Sequence, residues 1–173
     1  MKRHLFVACL SGAALLAVLA PALPGFAETE APAAAPAVPY PEGFRQWPHV
    51  KTGLVTAQSP RFAVAGGFHH IYANGPALAG YASGTFADGA VIVFDRLAVE
   101  EGGGGSLKEG QRIVVDVMLR DAAKYAATGG WGFEEFAGSS TTQRNVGANA
   151  KAACFNCHAT QKPDTFVISK LRE

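Results

Sequence analysis

No apolar run in this chain is long enough to cross a membrane, which takes about 20 residues; the longest, Leu5 to Leu19, is interrupted by Ser11 and Gly12 and is followed by Pro21. A basic start, Met1-Lys2-Arg3-His4, precedes that run, and Pro21 to Ala27 closes it with helix breakers and a small residue. This is the pattern of a secretory signal peptide over residues 1–27, so the expected location is periplasmic or secreted, with no membrane span once the signal is removed. Cys9 lies too close to the start to serve as a lipoprotein site. Polybasic tracts are missing too. Without Lys2 and Arg3 the chain carries 13 basic against 14 acidic side chains, a net charge of −1, which argues against nucleic acid or an anionic membrane as partner. Cysteine is equally scarce: once Cys9 leaves with the signal, only Cys154 and Cys157 remain.

What is present is enough for one compact domain. The apolar fraction is 49% and the aromatic fraction 10%, which argues against disorder. Residues 28–41 are a proline- and alanine-rich tether with little to bury, so the folded domain is expected over 42–173, with packing starting near Tyr40. His49 to Thr56, Phe62 to Tyr72, Ala90 to Val99 and Arg112 to Leu119 are rich in Val, Ile and Phe and bounded by turn residues, which predicts strands; Trp131 to Phe136 is expected to be the last. Asn74-Gly75-Pro76 opens a short helix over Ala77 to Ala82. Asp121 to Ala127 makes a helical turn or two, Ser139 to Asn149 is a loop, and Ala150 to His158 reads as a helix. The run Gly102 to Ser106 has no GK[ST] after it and opens no helix, so it is a hairpin connector and not a phosphate cradle. The fold class is therefore mainly β with some α, an antiparallel sheet with a few short helices and a C-terminal helix carrying the cysteines.

Two cysteines in an exported protein read first as a disulfide, but His158 follows them directly. Cys154-Phe155-Asn156-Cys157-His158 is a C-x-x-C-H pattern, the attachment signature of a c-type haem. Two thiols a helical turn apart can each join a vinyl group on one edge of a porphyrin, and His158 then stands where its imidazole reaches the iron as axial ligand. A zinc site would need further ligands at close spacing, and a thioredoxin-like motif would need a strand before it.

The sixth iron position separates the functions. Electron-transfer cytochromes fill it with Met or His, yet the 15 residues after His158 contain no methionine, and Met118 is the single one beyond Met1. Alternation puts Met118 with Val114 and Asp116 on one strand face, opposite Ile113, Val115, Val117 and Leu119. His69 and His70 are adjacent in a strand, so they point to opposite faces. The inward one is a core or interface histidine, a distal ligand, or a proton donor to a bound ligand.

The order of motifs resembles the cytochrome P-460 and cytochrome c′-beta family. The resemblance rests on Tyr40 to Val50, His69 to Asn74, Gly84 to Val93, Gly129 to Phe133 and the near-terminal Cys154 to His158, and it covers about residues 40–170. It implies a homodimeric, mostly antiparallel β fold with one covalent haem c, five-coordinate through His158. In the P-460 branch a lysine is cross-linked to the porphyrin and a distal carboxylate supports hydroxylamine oxidation. In the c′-beta branch phenylalanine caps the distal side and the protein binds nitric oxide. No lysine occurs between Lys51 and Lys108, which leaves Lys51 as the upstream cross-link candidate. Asp95 lies where the family places an acid. Phe62, Phe68, Phe86 and Phe94 supply apolar wall material, with core packing the default for each.

Three functions follow as expectations: a haem protein that binds nitric oxide or related nitrogen oxides, favoured by an apolar pocket over a vacant iron position; a hydroxylamine-oxidising enzyme; and an electron carrier with Met118, His69 or His70 on the iron. A redox partner protein is compatible with all three.

Overall fold

The computed structural model describes residues 37–172; the expected signal segment 1–27 and most of the expected tether 28–41 lie outside them. Packing begins earlier than Tyr40. Val38 is 3% exposed and its carbonyl accepts a hydrogen bond from Arg144 Nη1, while the Tyr40 ring meets Phe44 and Phe136 edge to face.

Five strands form one antiparallel sheet in chain order: β1 (His49–Val55), β2 (Gly67–Ala73), β3 (Val91–Gly103), β4 (Ser106–Arg120) and β5 (Trp131–Ala137). Sequential strands joined by short connections pair in this way without crossovers. The expected strand Phe62 to Tyr72 divides in two: Phe62–Ala65 is a helical turn, α1, and only Gly67 onward is strand. Its β-forming residues are overruled by tertiary contacts that hold α1, described below. β3 and β4 are also longer than expected, 13 and 15 residues against 7 for their neighbours. They continue as a polar two-stranded arm whose turn, Gly103-Gly104-Gly105, has positive φ throughout, a conformation that glycine adopts without steric cost. The arm was hidden in the sequence because Glu100, Glu101, Lys108 and Glu109 give it no apolar alternation.

α2 (Gly75–Ser83) starts two residues before the expected Ala77, because Asn74 Oδ1 accepts hydrogen bonds from both Ala77 N and Val91 N and Pro76 occupies the first turn. Near the C-terminus the expected single helix is a π-helical turn, Lys151–Phe155, running into α3 (Asn156–Gln161).

Both faces of the sheet are covered. One carries Val38, Phe44, Val93, Val115, Val117, Tyr125 and Phe136 under the N-terminal segment. The other carries Val50, Ile71, Ala73, Ile92, Trp131 and Phe133 under the C-terminal segment, with Phe94, Met118, Cys154, Phe155 and Phe166 packed against them. Each large side chain so buried contributes roughly 2 kcal/mol.

Candidate functional site

The C-terminal face is ordered in rungs, because directly paired residues share a face. One rung is Ala73, Ile92, Met118 and Phe133; the next is Ile71, Phe94, Asp116 and Glu135; the third is His69, Arg96, Val114 and Ala137. From Phe133 to Ala137 the face extends about 13 Å at the usual strand rise.

The chain reaches this face through a loop anchored by Glu134. Its carboxylate accepts from the backbone N–H of Glu135, Val146 and Gly147 and from Arg144 Nη1 at 3.1 Å. The loop then enters the π-helical turn, a widened geometry that recurs at functional sites. Cys154 in this turn packs against the apolar face while Cys157 is exposed. Burial first, and then the Asp116 and Glu135 carboxyls, push the Cys154 thiol up to about 12, so it is a neutral thiol next to the second rung.

His158 follows on α3, its ring 5.1 Å from that of Phe133. Its Nδ1 lies 2.7 Å from the Phe166 carbonyl. A carbonyl only accepts, so Nδ1 carries the proton and Nε2 keeps its lone pair. Burial lowers the pKa of His158, with the Phe166 bond acting in the opposite direction; the neutral ring is the form that binds metal. Phe166 is the one non-glycine with positive φ among the described residues, at 62°. Backbone held in that region is strained and is kept only where the surroundings enforce it. Here Trp131 Nε1 donates to Thr165 O at 3.1 Å, and the Phe166 ring packs 5.2 Å from Phe155.

These residues fit a haem. Two thiols one turn apart, a neutral imidazole with Nε2 free and its other nitrogen fixed by a carbonyl, and an apolar wall of Ile71, Ile92, Phe94 and Phe133 are the groups that porphyrin attachment, iron ligation and ring burial require. Cys154, Cys157 and His158 would hold it.

The other expected site residues divide between the faces. His69 and Phe94 are on the face that carries Cys154 and His158, with their rings 4.4 Å apart. His69 is buried and its pKa is lowered, by burial first; its Nε2 donates to Ala65 O. Met118 shares the rung of Phe133, whose ring His158 meets. Phe68, His70 and Asp95 are on the opposite face. His70 stacks on Phe68, contacts Thr52 Oγ1 at 2.9 Å and lies 2.7 Å from Glu109 Oε1. Asp95 is enclosed by Arg45 and Arg112, with Nε of Arg112 at 2.6 Å. Lys51 is exposed on β1, in register with Ile71. The sheet acids on the Cys154 and His158 face, among the described residues, are Asp116 and Glu135, paired directly across β4 and β5. Burial, then the neighbouring Glu135, raise the Asp116 pKa well above its ordinary value. Alternation in the sequence already grouped Asp116 with Met118; nothing in it pointed to Glu135, Arg96 or the Phe166 carbonyl.

Comparison with curated proteins finds no match. The family model for cytochrome P460 matches residues 41–169, which spans every strand, the cysteine pair and His158, so the chain belongs to the cytochrome P460 family of haem-binding cytochromes.

Proposed function

We propose that this is a periplasmic mono-haem protein, with haem c attached at Cys154 and Cys157, that binds nitric oxide or a related nitrogen oxide on a five-coordinate iron held by His158. The arrangement of the rungs carries the reading. His158 stands at the Phe133 rung, and toward the third rung the face offers Phe94 and Val114, with α1 held there through its Val64 and Ala65 carbonyls. The one histidine there among the described residues, His69, has Nε2 committed to the Ala65 carbonyl, and Met118 shares the rung of Phe133, which His158 meets. A haem bound here supplies an iron whose second axial position takes a small neutral ligand. The test is the resonance Raman spectrum of the reduced protein without added ligand. Five-coordinate high-spin haem that becomes six- or five-coordinate nitrosyl on exposure to nitric oxide is expected; six-coordinate low-spin haem in its absence overturns the reading. The electron-carrier alternative makes the opposite forecast for Met118→Leu. A near-isosteric swap of this kind costs less than about 1.5 kcal/mol, and the spectrum is expected to stay as in the parent, whereas a methionine-ligated iron would turn high spin.

Asp116 and Glu135 give a second reading some support, since hydroxylamine oxidation needs a group that takes protons near the iron. In that case intact mass should show a lysine joined to the porphyrin, Lys51 being the upstream candidate, and the Soret band should shift to the red. Homodimer formation belongs to the same proposal: the β3–β4 arm leaves Val99, Leu107 and Ile113 exposed, and light scattering of the purified protein should return twice the chain mass.

A further inference from the structure

We infer that Arg96 and His69 fix α1 as the cap over the ligand side of the site, and that this anchored turn sets the size of ligand admitted. The inference rests on the proposed five-coordinate haem. α1 has four residues, too few to hold a helical turn in water by itself. Its last carbonyls have no partner within the turn, as at every helix C-terminus. Two of them are taken by side chains from the third rung: Arg96 Nη1 donates to Val64 O and His69 Nε2 to Ala65 O, each at 2.5 Å. Arg96 and His69 are themselves directly paired across β2 and β3, so one cross-strand pair grips two consecutive carbonyls of the cap. A cation at a helix C-terminus is also favoured by the backbone dipoles.

Stability alone is a poor account of this arrangement. Arg96 Nε is buried without a partner, an unfavourable state for a donor, and the turn it secures presents Phe62 at 45% and Val64 at 75% exposure. Exposed apolar side chains on a turn held by a buried histidine and a partly buried arginine suit a turn that closes over something else. The rung order puts that something between α1 and His158, where the bound ligand would sit. Phe62 and Val64 then act as the steric filter, and Arg96 and His69 are positioning residues.

The experiment uses the full haem-loaded protein, reduced, with carbon monoxide as the small probe and n-butyl isocyanide as the large one, their association rates measured by flash photolysis. In Arg96→Ala and His69→Ala the isocyanide rate should rise at least tenfold and the carbon monoxide rate less than threefold. His69→Gln, which keeps a side-chain N–H donor, should restore the parent ratio. Amide exchange at Ala65 and Gly66, whose N–H groups bond to Arg61 O and Phe62 O, should quicken in the alanine variants. If the alanine variants do not fold, Phe62→Ala shortens the cap at an exposed position and should raise the isocyanide rate by itself. Unchanged rates for both probes in a five-coordinate protein overturn the cap alone. A parent protein that is six-coordinate before any probe is added overturns the ligand-site reading and the cap with it.

Discussion

Replacing Asp95 by asparagine separates a structural acid from a catalytic one. Asp95 is 1% exposed. Its Oδ1 accepts from Arg112 Nε at 2.6 Å, and its Oδ2 accepts from Arg45 Nη2 at 2.9 Å, Arg45 Nε at 3.1 Å and Arg112 Nη2 at 3.3 Å. The two arginines are not equivalent. Arg45 is 54% exposed, so its pair is worth about 0–1 kcal/mol after solvent screening. Arg112 is 13% exposed, and removing the partner of a buried charge costs about 3–5 kcal/mol. Asparagine keeps one oxygen, but its amide nitrogen would face donors, so most of that loss should appear. For a domain of this size, roughly 0.3 kcal/mol per degree of melting entropy converts the loss to a fall in Tm of roughly 10–17 °C. Melting followed by circular dichroism measures it. The carbon monoxide difference spectrum and binding rate should stay at parent values, since Asp95 and Cys154 are on opposite faces of the sheet. Adding Arg112→Met to Asp95→Asn should recover part of the loss, because the stranded cation is removed with its partner. A variant that melts within about 3 °C of the parent yet loses its ligand response would refute the assignment and return Asp95 to the site.

Two further outcomes are expected. The raised pKa of Asp116 means that its proton is held more tightly in the folded chain than in the unfolded one, where the group titrates near 3.8. Its contribution to stability is therefore complete below that value and is lost as pH rises through the folded pKa. Asp116→Asn, neutral at every pH, should gain in Tm over the parent as pH is raised from about 4.5 to about 8, and a difference that does not vary with pH would refute the burial argument. Gly129 has φ +64°, and a Cβ there would lie 2.4 Å from Phe166 Cε2. Gly129→Ala should lose about 1–2 kcal/mol to backbone strain alone. By shifting Phe166 it should also alter the iron–histidine stretching band, while a stability loss with an unmoved band would show that the Phe166 carbonyl does not orient His158.

The parts of this molecule that were legible in the sequence are those whose physics is local. C-x-x-C-H names its chemistry because the spacing of the two thiols and the imidazole is a property of one helical turn. Runs rich in Val, Ile or aromatic residues between turn residues marked all five strands, since a pleated half-buried surface selects those side chains. α1 was read as strand for the complementary reason. Phe62 and Val64 favour strand, Ala63 and Ala65 are too few to set a helix by themselves, and the turn is held by Arg96, 31 positions beyond Ala65 in the chain. The π-helical turn at Lys151–Phe155 is equally silent, as its widening is imposed where the chain leaves the Glu134 anchor and Cys154 meets the sheet.

The acid of the site shows the limit most sharply. Along β3, Asp95 alternates with Phe94, and one step of parity decides whether the carboxyl faces the side of Cys154 and His158 or the other. In a sheet with one wet face, the polar residues would have revealed that parity. Here both faces are buried, so Ile92 and Phe94 on one side look like Val93 and Leu97 on the other, and alternation alone gives no direction. Only the C-terminal segment breaks the symmetry, by laying Cys154 and His158 against the face that carries Met118 and Phe133. Once that contact is known the phase follows along every strand through the registers: Asp116 and Glu135 turn toward the site, Asp95 and His70 turn away, and His69 becomes the histidine that meets the cap.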